Sequence, residues 1–347
     1  MNVRLRRAAL LLGAAAAVAT AAVALAGTAA GAPKAKYNIA VLYYNPSPYG
    51  IAQLKGAQKA AKALGVSVTG FNPNNDPHQQ QTQMQDAITT GKYQGMLVAA
   101  LDGHGLYPTI KQAIAKGIKV ATVDYTLGLP QQQINLVATP GLVTTVGQPI
   151  GNEWKGLITE IKKACGVKVG AGKPCSVAFL PGLANYPTDV IRIDAMKKAF
   201  KTGPIKFSLM PPGMYDQPTS QKVTLDFFQS KPKVDVFASF GDQMTAGALV
   251  AFKQLGIKPG KDVLVMGYGA SKEGVAAVRS GQWFATLGLY PAGEMEVALK
   301  YVVDALNGKK NIPNPVDIMK TPLHPLIVDK DYLKANPKFQ ADWALNG

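Results

Sequence analysis

From Tyr37 to Leu306 the chain alternates short, nearly uninterrupted apolar runs with longer amphipathic stretches, and that rhythm limits the folds open to it. Residues 37–44, 66–71, 95–100 and 119–125 hold too few polar positions to have one wet face, so each reads as a strand buried on both sides. Between them, residues 51–64 place Ile51, Leu54, Ala57, Ala61 and Leu64 at helical spacing and stop at Gly65. Helices over 79–90 and 107–116 stop likewise at Gly91 and Gly117. After a loop near 128–133 the rhythm restarts. Strands are expected over 176–180, 207–210, 234–239, 263–267 and 283–289, and helices over 150–163, 189–200, 219–229, 244–255, 273–280 and 293–306. Such repetition predicts an α/β fold of two lobes of similar size with parallel sheets, and the Pro-punctuated tail from Pro313 is expected to cross back over both. A length of 347 residues, 47% of them apolar, supplies two cores.

The N-terminus has another logic. Arg4, Arg6 and Arg7 precede an uncharged, Ala-rich run over 8–26, and small residues continue to Ala32. Basic, apolar and small segments in that order make residues 1–32 a secretory signal, with Ala24-Leu25-Ala26 as a small-x-small cleavage site. A membrane anchor is the alternative, since the run approaches the roughly 20 residues a bilayer needs. The chain is therefore expected to be exported, to the periplasm or the extracytoplasmic envelope. Removing three arginines and no acid takes the formal charge from +16 to +13. The lysines are dispersed and no dense basic run is interleaved with aromatics, so nucleic acid is not an expected partner. Cys165 and Cys175, an even pair in an exported chain, read as a disulfide. A monomer is expected.

Signatures of catalysis are missing. There is no G-x-S-x-G elbow and no H-E-x-x-H. The Gly/Lys loop over 166–174 has Pro174 where a phosphate loop needs Ser or Thr. His78, His104 and His324 are not at ligand spacing, so no metal and no cofactor are expected.

In parallel sheets ligands bind at the carboxyl ends of strands. Those ends carry Ser47 and Tyr49; Asp124 and Tyr125; Tyr186 and, on the next helix, Arg192; Tyr215 and Asp216; Gly241 and Asp242; Gly269; and Leu289 and Tyr290. Tyrosines with a few charged anchors suit an aromatic-walled small-molecule cleft. A secreted enzyme using Asp124, Asp216 or Asp242 as acid and base is the rival reading, and a ligand-sensing receptor component is a third.

Several stretches then carry a resemblance. They are YNPSPYGIAQLKGAQ over 44–58, Asn75-Asp76-Pro77 before a Gln-rich helix, IKVATVD over 118–124, Tyr215-Asp216, Gly241-Asp242-Gln243-Met244, and GQWFATLGLYP over 281–291. In their order and spacing the chain resembles the sugar-type, ribose-binding-protein-like periplasmic binding proteins of ABC importers. The resemblance implies two Rossmann-like lobes joined by a three-strand hinge, divided as 37–138 plus 290–318 and 139–289 plus 319–347, a solute held between them, and a membrane permease as partner. It also implies that Ser47 and Tyr49 match the family's first-loop contacts, Asp124 its sugar-binding acid, Arg192 its second-lobe arginine and Tyr215 its stacking aromatic. Four positions depart from the family pattern. Gly241 replaces an Asn, Gly269 an Asp, Leu289 a Gln and Tyr125 an Arg. Those departures imply a roomier, less polar site, for a sugar or a less polar, sugar-like or aromatic solute.

Overall fold

Strand pairing divides the chain between two six-stranded sheets. The computed structural model describes residues 35–124, 127, 136–183, 186–230, 233–320 and 324–346; the expected signal and Tyr125 lie outside them. The first sheet contains β1 (Asn38–Leu42), β2 (Ser67–Phe71), β3 (Gly95–Ala99), β4 (Lys119–Asp124), β5 (Thr144–Gly147) and β11 (Val316–Asp317). Its order is β11-β5-β4-β3-β1-β2 and every pairing is parallel. The second contains β6 (Cys175–Leu180), β7 (Ile205–Leu209), β8 (Val236–Ser239), β9 (Leu264–Gly269), β10 (Ala285–Gly288) and β12 (Ile327–Asp329). Its order is β12-β10-β9-β8-β6-β7, with only β12 antiparallel. The α/β, two-lobe class read from the alternation is the architecture observed.

Helices cover both sheets. In the first lobe α1 (Pro48–Leu64) and α9 (Pro291–Leu306) pack on one face, around Val41, Leu97 and Leu299, while α2 (Pro77–Thr89) and α3 (Tyr107–Ala115) pack on the other, around Leu42, Met84 and Ile110. In the second, α4 (Ile150–Val169), α5 (Pro187–Ala199), α6 (Gln217–Gln229), α7 (Asp242–Leu255) and α8 (Lys272–Ser280) enclose a core that includes Phe179, Phe237 and Phe252. A short α10 (Lys330–Ala335) follows β12. The glycine stops behave as read: Gly65 ends α1 with φ 66° and Gly256 ends α7 with φ 71°, left-handed values that a Cβ disfavours.

Three differences from the sequence reading matter. Residues 144–147 form a strand of the first sheet, so the chain first crosses at Gln148-Pro149 rather than at 138. Four residues with two threonines are too short to show a period. Helix α4 runs past the expected 163 to Val169 and ends at Gly170. The tail contributes β11, β12 and α10, all too short to announce themselves. The chain crosses between lobes again at 289–290, and once more between β11, which ends at Asp317, and β12, which starts at Ile327. Tyr290 ties the second crossing to the third, its hydroxyl donating to the Pro325 carbonyl at 2.7 Å. The Cys165–Cys175 disulfide is present and joins the last turns of α4 to the start of β6.

Candidate functional site

The carboxyl ends of both sheets face one cavity of about 390 Å³. From the first lobe it is lined by Tyr44, Asn45, Ser47, Tyr49, Asn75, Pro77, Leu101, Asp102 and Asp124. The second lobe and the crossings add Leu183, Tyr186, Arg192, Tyr215, Phe240, Gly241, Gln243, Tyr268 and Leu289, and the tail adds Trp343.

Asp124 anchors the first wall. It ends β4 in a left-handed conformation, φ 65°, which Asp tolerates better than most residues and which marks a position held by its surroundings. Its N–H donates to Glu294 Oε2 at 3.1 Å. Oδ1 accepts from the Tyr49 hydroxyl at 2.7 Å and Oδ2 from Gln53 Nε2 at 2.9 Å. Burial raises the Asp124 carboxyl, and the bonds from Tyr49 and Glu294 pull it back. Glu294, buried on α9, is driven well above the usual carboxylate range, first by burial and then by Asp124. Of the two, Glu294 is driven further toward its protonated form, while the bonds donated by Tyr49 and Gln53 favour the anionic form of Asp124.

The second wall is built around Arg192. Nη2 donates to Glu153 Oε2 on α4 at 2.5 Å and Nη1 to Asp189 Oδ1 on α5 at 3.4 Å. Glu153 Oε2 also accepts from the Tyr268 hydroxyl, and Asp189 accepts from the Tyr215 hydroxyl at 2.6 Å and from the Leu183 N–H at 2.7 Å. The guanidinium lies 5.5 Å from the Phe240 ring centre and 5.1 Å from that of Tyr268, within cation–π range. Arg192, Glu153 and Asp189 are 4%, 1% and 0% exposed. Burial raises the Asp189 carboxyl while Arg192 and Tyr215 lower it. Gly182 admits the Tyr215 ring, since a Cβ there would stand 2.2 Å from Tyr215 Cε2.

Of the residues read from sequence, Ser47, Tyr49, Asp124, Tyr186, Arg192, Tyr215, Gly241 and Leu289 are brought together around the cavity. Asp216, Asp242, Gly269 and Tyr290 are not among its lining residues. Asp216 caps α6, accepting from Thr219 N–H and Oγ1 at 2.8 and 2.7 Å. Asp242 is fully buried beneath the wall. It accepts from Ser271 N–H and Oγ, each at 2.7 Å, and from Thr286 Oγ1 at 2.9 Å, and burial lifts its carboxyl to about 6. Tyr290 packs at the hinge with its ring 4.3 Å from that of His324. At Gly269 no room is left: the Trp343 indole fills the space, with Nε1 donating to the Gly269 carbonyl at 2.7 Å. At Gly241 the side chain of Gln243 comes within 3.0 Å of where a Cβ would stand. The expectation of a roomier site is therefore corrected at these two positions, because neighbours occupy the volumes the missing side chains leave.

Sequence reasoning missed Glu153 and Glu294, each an acid on an otherwise apolar helical stripe (Glu153-Leu157-Ile161, Glu294-Ala298-Val302), and that pattern was a usable signal. Trp343 gave none. Trp343 is held to the second lobe by its own carbonyl, which accepts from Lys272 N–H at 2.9 Å, and by Leu345 N–H donating to Glu273 Oε2 at 2.7 Å. Its indole meets the Tyr49 ring of the first lobe edge-on at 5.7 Å. Among the described residues no cluster of His, Cys, Asp and Glu could hold a metal, and no helix is long and apolar enough to cross a membrane.

A family model described as the periplasmic binding protein domain matches residues 39–310. The D-allose-binding periplasmic protein of Escherichia coli (strain K12) is 28% identical over 269 residues, spanning 77% of this chain and 83% of that protein. Ribose import binding protein RbsB of Bacillus subtilis (strain 168) is 24% identical over 269 residues, 76% of this chain and 79% of its own. A periplasmic solute binding protein of an ABC transporter from Actinobacillus succinogenes 130z, solved with bound D-allose, superposes with a TM-score of 0.72 at 22% identity, covering 86% of this chain and 100% of that one.

Proposed function

The chain belongs to the periplasmic binding protein domain family, and from that premise we propose that it is an exported receptor for a small sugar-like solute, which it delivers to the permease of an ABC importer. The observation that carries the reading is a single cavity bounded by polar anchors from both lobes, Tyr49 and Asp124 facing Arg192 and Tyr215. Hydroxyl groups of a buried solute need partners, since an unpaired one costs about 1–3 kcal/mol. Asp124 accepts such bonds, Ser47, Asn45, Asn75 and Gln243 accept or donate, and tyrosine faces pack on ring C–H groups. Binding closes the lobes about the three crossings, and the permease recognises the closed form. No step of this proposal is catalytic.

Fluorescence and calorimetric titration with D-allose and D-ribose, the solutes named for the relatives above, test it. Trp343 is a built-in reporter of the cavity. Saturable binding with compaction in small-angle scattering is the expected result, and Asp124→Ala should weaken it roughly ten- to hundredfold. Absence of binding and of compaction across these sugars and across other neutral and charged monosaccharides would sink the reading.

A further inference from the structure

The charge inside the cavity has the opposite sign to the charge of the protein. The whole chain carries +16. Among the described residues lining the cavity Arg192 is the single cation, and it is already engaged by two carboxylates, Glu153 and Asp189. Asp124 and Asp102 face the same space, and among the described residues neither is in an ion pair with a Lys or Arg. Asp102 is fixed there by its turn, Oδ1 accepting from His104 N–H at 3.0 Å and Gly105 N–H at 2.9 Å. The carboxyls of Asp124, Asp102, Glu153 and Asp189 therefore outnumber the single guanidinium in and beside the cavity.

Two consequences follow from elementary electrostatics. An anionic solute would meet an arginine already paired to two buried carboxyl groups, beside further acids, and would be desolvated with little return. A cation would meet Asp124 in a low-dielectric enclosure, where a charge-assisted bond is strongest. The basic exterior opposes this only weakly, because exposed charges are screened beyond about 8–10 Å at ordinary ionic strength. The first-lobe wall also offers aromatic rings beside that carboxylate. Tyr44 and Tyr49 stack with ring centres 6.3 Å apart, Trp343 stands 5.7 Å from Tyr49, and the Tyr49 hydroxyl touches Asp124. A carboxylate framed by electron-rich rings is what an organic ammonium needs.

We infer that the cavity selects a positively charged member of the sugar-like class, a polyol or monosaccharide bearing a protonated amine, with its nitrogen seated on Asp124 beside Tyr49 and Trp343. This rests on the solute-receptor reading and narrows it.

The test is calorimetric titration with matched sets: D-glucose, D-glucosamine and D-glucuronate, then the corresponding galactose and mannose sets, with D-allose and D-ribose as further neutral solutes. The amine of the best-fitting set should bind at least about tenfold tighter than its neutral counterpart, and the uronate should bind weakest. Raising the pH until the amine loses its proton should erase the advantage. Asp124→Asn should do the same at constant pH, and Asp102→Asn, on a half-exposed turn that the amide can still cap, should reduce the advantage in a variant whose fold is not at risk. A neutral sugar or a uronate binding as tightly as the amine would overturn the inference and leave the receptor reading intact. No binding by any of these solutes would remove both.

Discussion

Trp343 stands where a side chain on residue 269 would have to go. A Cβ at Gly269 would lie 2.6 Å from Trp343 Cζ2, and residue 269 has φ 151°, outside the range L side chains favour. Residues 74 positions apart are thus fitted to each other: an indole from the tail takes the volume that a side chain at 269 would need. The family match ends at 310, so the residue that fills the gap comes from outside it.

That fit gives the first prediction. Gly269→Ala should cost about 1–3 kcal/mol, through overpacking and through the backbone conformation. In a Trp343→Ala background the overpacking part should vanish, so the two changes should be clearly non-additive. Urea denaturation of the four proteins measures it, and additive losses would show that Trp343 and Gly269 do not share the space.

Arg192 invites a second. Removing the guanidinium leaves Glu153 and Asp189 buried and uncompensated, a change that typically costs about 3–5 kcal/mol. Arg192→Ala should therefore lower the unfolding midpoint sharply, and Arg192→Met with Glu153→Leu should recover part of the loss. An Arg192→Ala protein with an unchanged midpoint would contradict the network. For ligand studies Tyr49→Phe is the cleaner probe of the site, since it deletes one bond to Asp124 and keeps the ring.

Much of this fold was legible because it depends on local periodicity. Apolar runs, helical stripes and glycine stops such as Gly65 and Gly256 placed the main strands and helices. The strand ends then named eight lining residues, because in a parallel sheet the end of a strand and the mouth of the cleft coincide. What stayed hidden depends on which distant residues meet. Asp242 looks like a cleft acid in sequence, yet its oxygens are consumed by Ser271 and Thr286. Glu153 and Glu294 look like helix surface until the apolar stripe beneath them is counted. Trp343 sits in an aperiodic tail, and only the folded structure shows that it reaches Tyr49.

The disulfide supports a third prediction. The pair closes a loop of sequence separation 10, which in the chain-entropy account is worth about 2–3 kcal/mol. Cys165→Ala with Cys175→Ala, or reduction of the native protein, should lower stability by that order. Neither cysteine lines the cavity, so solute affinity should hold. Loss of affinity with stability unchanged would refute both parts.

The last prediction concerns pH. Adjacent tail residues hold opposite lobes: Trp343 docks on the second, while Asp342 Oδ2 accepts from Gly293 N–H at 2.9 Å at the start of α9, a helix of the first. Burial, opposed by that bond and reinforced by Glu296, lifts the Asp342 carboxyl to about 7, with Tyr290, Tyr332 and His324 nearby. An unfolded aspartate titrates near 3.9, so between about pH 4 and 7 the folded chain holds a proton that the unfolded chain has released. Stability therefore falls as pH rises through that window, by at most about 1.4 kcal/mol per pH unit from this group, and levels off above it. Asp342→Asn keeps an acceptor for Gly293 and cannot ionise. Its stability relative to the parent should rise steadily from pH 4.5 to 7.5 in urea titrations, whatever Asp242 and Glu294 contribute to both proteins. A constant difference across that range would mean that Asp342 is not the buried acid that loosens the tail as the solution becomes neutral.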